Sequence, residues 1–388
     1  MMRCTPVGRR AVYLAGFGHH SASGATLDMA CDTIAGGNIR CGTRRVAGTS
    51  WPYYALDLAD GAWHARARQA VCAVGRDVRA GLAIGDAEWA QAGFFFASSS
   101  FQIGALEQAA REERTDHSLQ VGAAPLTVAD FATDAARWLG IDTAPWCFAT
   151  ACTSSLSALD AAATLIRAGV LRRALVLGVE LANDTSLAGF SAMGLLSPAG
   201  CRPLDRARDG LVLGEAAGAV WLSDEPCGGA WGDWRLAGFE AALDSHSPTG
   251  PNPDGTVIAD AMSKALERAG LPAAAIELVK LQAAGSPAVD LAEAAALRRV
   301  FGECLPPLVS LKPYLGHTLG ASGAVELSAL IGCLARETVP ATPGFSTIDP
   351  AIGFAPTATV RTMQVRHLLF NLIGFGGSVV SLVLERAP

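Results

Sequence analysis

Short runs of almost uninterrupted apolar side chains recur along this chain, with longer stretches of helical periodicity between them. Residues 11–17 (AVYLAGF), 173–179 (RALVLGV), 216–222 (AAGAVWL), 276–281 (IELVKL), 367–373 (HLLFNLI) and 378–384 (SVVSLVL) read as strands. Residues 154–168, 258–269, 289–300 and 322–335 read as helices. A strand that is apolar without alternation has both faces covered, and helices between such strands supply the cover. The pattern therefore predicts an α/β fold. The clearest shift in composition is the Gly/Trp/Pro-rich stretch from Glu225 to Trp234, then a strand-like run, then SHSPTGPNPDG at 245–255. That last segment reads as a loop and sets an expected division into residues 1–244 and 245–388.

Several function classes are excluded by charge and patterning. The formal charge is −6, and no Lys/Arg run exists to neutralise phosphates, so nucleic acid is not an expected partner. No stretch approaches 18 uninterrupted apolar residues, so no membrane span is expected. Arg3, Arg9 and Arg10 precede a short apolar run, but His19 and His20 close it off, so a first buried strand is the better reading than a signal peptide. The ten cysteines lack CxxC spacing, which predicts mostly small buried thiols in a reducing cytoplasm and no metal centre.

One cysteine stands apart. In WCFATACTSSLSALDAAATLIRAG (146–169), a strand and a tight turn lead into a helix whose Leu156, Leu159, Ala163 and Ile166 share a face. Cys152 falls at the helix start, where free N–H groups and the dipole favour thiolate over thiol. Burial as a small apolar side chain is the alternative for any cysteine. LVSLKPYLGHTLGASGAVELSAL (308–330) supplies His317 in a Gly-rich loop, with Lys312 before it and Glu326 on the following helix. NLIGFGGSVVSLVL (371–384) places Gly374-Phe375-Gly376-Gly377 between two apolar runs, where a backbone N–H can approach a site.

Taken together, TACTSS around Cys152, RPLDRARDGLVLGEAAGAV (202–220), KPYLGHTLGASG (312–323) and GFGG occur in the order seen in β-ketoacyl-acyl-carrier-protein synthases. The chain resembles that family over essentially its whole length. The resemblance implies a thiolase-like five-layer αβαβα sandwich of two similar halves, a dimer, and an acyl carrier protein as partner, with no cofactor. By the same resemblance Cys152 is the acyl-accepting nucleophile and His317 the histidine of the KxxxxGHT motif. Lys312 and Glu326 match the charged pair that supports it. Phe375 looks like the gate residue whose N–H, with that of Cys152, forms the oxyanion hole. Phe101 and Phe190 are expected to border the acyl pocket, and Asp205, Arg206, Gly214 and Glu215 match a block that is largely structural.

The resemblance breaks where a second histidine should open an HGTGTP-like motif. Here the chain reads VKLQAAGSPAVDLAEAAAL (279–297). Ser286, Pro287, Asp290 and Glu293 keep the register, which puts Gln282 at the histidine position. No histidine lies between His246 and His317. Glutamine can donate an amide N–H, but it cannot carry a proton near neutral pH. Val379 stands where the GFGGxN pattern has asparagine. A thiolase reading fails because Cys333, the last cysteine, falls on a helix, and a cysteine protease has no support beyond a Cys and a His. Two expectations result. One is a condensation-impaired, chain-length-factor-like partner of a competent ketosynthase, in a heterodimer. The other is a stand-alone β-ketoacyl synthase or acyltransferase, as a homodimer.

Overall fold

The computed structural model describes residues 10–115 and 127–387. The start of the chain, with Arg3, Cys4 and Arg9, lies outside the described residues. The main sheet has ten strands. In chain order they are β1 (Tyr13–Ser21), β2 (Gly93–Ala97), β3 (Pro145–Phe148), β4 (Arg173–Glu180) and β5 (Ala216–Ser223), then β6 (Trp234–Leu243), β7 (Leu278–Lys280), β8 (Leu308–Val309), β9 (His367–Ile373) and β10 (Ser378–Arg386). Among the described residues, six of the helices that form the layers are α1 (Trp63–Ala80), α2 (Val128–Leu139), α3 (Ser154–Arg167), α4 (Thr256–Ala269), α5 (Pro287–Phe301) and α6 (Ser322–Ala335).

The strand order is β8-β7-β9-β10-β6-β1-β5-β4-β2-β3. Read outward from the middle, β1-β5-β4-β2-β3 is matched by β6-β10-β9-β7-β8, so the second half repeats the first. The pairing directions repeat as well. In each half the two outer pairs are parallel and the two inner pairs antiparallel. Only Tyr13↔Arg235 and Leu14↔Trp234 join β1 to β6. By strand pairing Trp234–Leu243 belongs to the second repeat, although the composition-based division at 244/245 places it in the first. The Pro- and Gly-rich loop after it is a conspicuous break in sequence, but pairing decides membership.

Three apolar clusters define the layers. The central one joins α3 and α6 to inward residues of both halves, such as Val176, Val220, Phe370 and Leu382. Its helix α6 is buried from Ser322 to Leu334, as a helix apolar on every side must be. The outer clusters set α1 and α2 against the first half and α4 and α5 against the second. The result is the expected five-layer αβαβα sandwich. The predicted strands and helices all recur in it. The apolar runs singled out in the sequence do not include β2, α1 and α2; Phe94-Phe95-Phe96 in β2 is the available signal.

Candidate active site

The first repeat ends its third strand in an elbow. After β3 the chain turns through Ala151–Thr153 directly into α3. Ala151 takes φ = 51°, a left-handed conformation that costs a non-glycine residue and persists only where its surroundings hold it. They do. The Thr150 N–H donates to Ser154 Oγ at 2.9 Å, Ser154 Oγ donates to the Ala151 carbonyl at 2.6 Å, and Thr153 Oγ1 donates to the Thr150 carbonyl at 2.8 Å. Cys152 is thereby fixed at the helix start and is only 4% exposed. The second repeat builds the same elbow at Leu319–Ala321 ahead of α6, with Leu319 at φ = 44°, and the two elbows lie side by side.

This arrangement brings the KPYLGHT segment to the cysteine across 165 residues of sequence. His317 Nε2 is 3.0 Å from Cys152 Sγ. On the other side of the ring, Nδ1 faces Lys312 Nζ at 3.1 Å and Ser322 Oγ at 3.2 Å. The Lys312 ammonium also donates to Ser322 Oγ at 3.1 Å and pairs with Glu326. Its three protons thus meet three acceptors, which makes His317 Nδ1 an acceptor and leaves the imidazole proton on Nε2, aimed at the sulfur. The backbone holds the ring in place, since the His317 N–H donates to the Val212 carbonyl at 2.7 Å.

Electrostatics correct one expectation. Position at a helix start predicts a thiolate, but burial pushes the Cys152 thiol up, to about 11. Lys312, the Phe375 N–H and the cysteine's own N–H pull the other way and do not prevail; Glu180 adds to the upward push. Desolvation of an anion outweighs a half-charge at a helix end. His317 is held well below its ordinary value by burial and by the Lys312 and Lys280 cations, so its ring is neutral.

The remaining predicted residues divide. Phe375 lies beside the elbow, its N–H toward the sulfur, and its ring stacks on Phe190 at 5.2 Å between centroids. Phe190 and Cys152 share one apolar cluster with Leu196, Leu319 and Ala284. Phe101 is placed elsewhere, in the outer cluster of the first half, 5.8 Å from the Phe96 ring. Gln282 sits just past the end of β7, 4% exposed, with its side-chain oxygen buried and unpartnered by any described residue. No described histidine other than His317 hydrogen-bonds the sulfur. His246 is exposed, its N–H donating to Asp244 Oδ1 at 3.0 Å. Val379 is buried in the outer cluster of the second half.

Three buried residues that carry no motif of their own, or serve in the sequence only as register marks, organise the site. Glu180, at the end of β4, collects donors from Ser98, Ser99, Ser100 and the Gly320 N–H. Glu293 on α5 accepts the Gln282 N–H and the Ala283 N–H, each at 2.8 Å, and Asn371 Nδ2 at 2.6 Å. Lys280 pairs with the second oxygen of Glu326. A single acidic or basic residue closing an apolar strand is the signal for Glu180 and Lys280. Asp205 and Glu215 serve as structural acceptors, the first for Ala207, Ser346 and Thr347 N–H groups, the second for those of Leu56 and Ala182. Among the described residues no group of three or more His, Cys, Asp or Glu is placed to hold a metal ion.

Comparison with known proteins agrees with this geometry. Residues 69–226 match the family model of the β-ketoacyl synthase N-terminal domain, and residues 235–346 that of the C-terminal domain. The 3-oxoacyl-[acyl-carrier-protein] synthase 2 of Mycobacterium tuberculosis is 32% identical over 249 residues, covering 61% of this chain and 60% of that protein. The protein of the same name from Vibrio cholerae is 32% identical over 252 residues, with 61% of each chain covered. The match therefore spans about three fifths of these relatives' own length. Among solved structures, the ketosynthase ApeO in complex with its chain length factor ApeC, from Xenorhabdus doucetiae, aligns over 100% of both chains with a TM-score of 0.84 and 24% identity. A β-ketoacyl synthase from Burkholderia phymatum aligns over 98% of this chain and 100% of its own, with a TM-score of 0.84 and 25% identity.

Proposed function

Because the chain belongs to the β-ketoacyl synthase family, we propose that it handles acyl thioesters delivered by an acyl carrier protein as a condensation-impaired, chain-length-factor-like partner of a competent ketosynthase. The observation that carries this reading is Gln282. It occupies the place of a proton-carrying imidazole after β7, and no second described imidazole reaches the sulfur. Decarboxylating a malonyl unit and stabilising the enolate draws on general acid–base help, worth about 10²–10⁴ in rate. A carboxamide can supply a hydrogen bond to the enolate oxygen and nothing more. The partner's seam is offered by β3, the last strand of the sheet, whose outer edge has no pairing strand among the described residues and carries Trp146 at 55% exposure.

A second reading is favoured by the intact Cys152–His317–Lys312–Glu326 relay. Acyl transfer requires a nucleophile, an imidazole hydrogen bond and an oxyanion hole. It does not require the missing imidazole. On this reading the chain is a stand-alone acyltransferase, or a slow β-ketoacyl synthase, loading an acyl group on Cys152.

Both readings are tested together by incubating the purified chain with acyl-carrier protein and malonyl-carrier protein and following acyl-Cys152 by intact mass and malonyl decarboxylation by product release. The first reading expects negligible solo elongation, and a Gln282→His variant that decarboxylates at least ~100-fold faster. Solo elongation at ordinary ketosynthase rates overturns it. The second expects an acyl adduct that Cys152→Ala abolishes, and fails if no carrier-bound donor acylates the protein.

A further inference from the structure

Strand β7 ends in a lysine that has no solvent to face. Lys280 is one of only three lysines in the chain and is wholly buried. Its ammonium pairs with Glu326, lies 4.2 Å from the centroid of the Phe370 ring and donates to the Asn371 carbonyl at 3.4 Å. Lys312 pairs with the other oxygen of the same carboxylate. The Glu326 carboxylate is therefore shared by two fully buried cations beside Cys152 and His317. Burying a second cation there is costly in itself, since each ion loses its water.

The charged and titratable groups around His317 come from every neighbouring element. Lys312 faces Nδ1 from the short helix Lys312–Leu315, Ser322 and Glu326 come from α6, Lys280 from β7 and Cys152 from the elbow. Glu293, from α5, acts on Lys280, and Glu180, from β4, acts on the cysteine. Lys280 does not hydrogen-bond the imidazole. It acts on it through space, as a second buried cation that with Lys312 opposes an imidazolium, and Glu326 holds both cations in place.

We propose that Lys280 is a positioning residue: by sharing Glu326 with Lys312 it keeps His317 a neutral imidazole whose Nε2–H is aimed at Cys152, a hydrogen-bond donor that does not store the thiol proton. The proposal concerns the resting protein and does not rest on either reading of its function.

The test is a pH titration of the full chain carrying ¹³C-labelled histidine and lysine side chains, with His317 assigned from a His317→Asn difference spectrum. In the parent, the His317 signal turns to imidazolium only well below the ordinary histidine range. In Lys280→Met it titrates at least one pH unit higher, a tenfold gain in proton affinity, and Lys280→Arg keeps the parent's behaviour. A folded Lys280→Met protein with an unchanged His317 titration overturns the proposal, as does Lys280→Arg titrating like Lys280→Met. The parent supplies a check that needs no variant. With three lysines to resolve, the Lys280 signal is expected to lose its proton at about pH 8, and the His317 signal must shift in the same step. Two independent titrations there also overturn it.

Discussion

Replacing Lys312 by methionine isolates the struggle between burial and charge at the sulfur. In the parent, a thiol at about 11 is ionised in roughly one molecule in 3,000 at pH 7.5, against about one in ten for an ordinary cysteine near 8.5. Lys312 is the largest of the influences pulling the thiol down, and it also donates to His317 Nδ1 at 3.1 Å. Without it, desolvation meets less opposition and the thiol moves further up. The assay is alkylation by iodoacetamide between pH 6 and 11, followed peptide by peptide in the mass spectrometer. Absolute rates at a buried sulfur also report access, so the shape of the profile decides. Cys152 should still be gaining rate above pH 9.5, with exposed Cys304 as the reference for reagent reactivity, and in Lys312→Met the climb should begin at higher pH still. A Cys152 profile that levels off below pH 8, or one that moves to lower pH in the variant, would refute the claim that burial dominates this thiol.

Substitutions at two further positions test the scaffold around the sulfur. Gly377 takes φ = 77°, and a Cβ there would run into the Asp244 carbonyl oxygen, so Gly377→Ala should cost about 3 kcal/mol and lower the melting temperature by several degrees. Glu180→Ala should cost at least ~3 kcal/mol in urea unfolding, since it orphans the Ser98–Ser100 donors and the Gly320 N–H, each worth roughly 1–3 kcal/mol when left buried and unpaired. Glu180→Gln, which keeps an acceptor, should lose less; equal losses would mean the carboxylate's hydrogen bonds are not what holds that loop.

Much of the fold was legible because its signals are local. A strand covered on both faces has to be apolar at every position, and so β4, β5, β9 and β10 stood out in the sequence. The elbow at Cys152 and the loop at His317 were legible for a similar reason, since glycine, proline and capping patterns act within a few residues. The helix α1 was harder to see, because Arg66, Arg68, Arg76 and Arg79 dilute its apolar stripe. The repeat itself was hidden. Its halves share a pairing scheme, β1-β5-β4-β2-β3 against β6-β10-β9-β7-β8, and pairing leaves little trace in residue identity.

The sequence by itself determined which side chains could act: one cysteine at a helix start, one histidine in a glycine-rich loop, and a glutamine where an imidazole was expected. Only the tertiary structure decided what state those side chains are in. Burial overrides the helix dipole at Cys152, two lysines 32 positions apart share Glu326, and Phe101 packs away from the cluster that holds the sulfur. The reason is physical. Chemical identity belongs to each residue, whereas desolvation and Coulomb energy are sums over every neighbour the fold brings near, however distant along the chain.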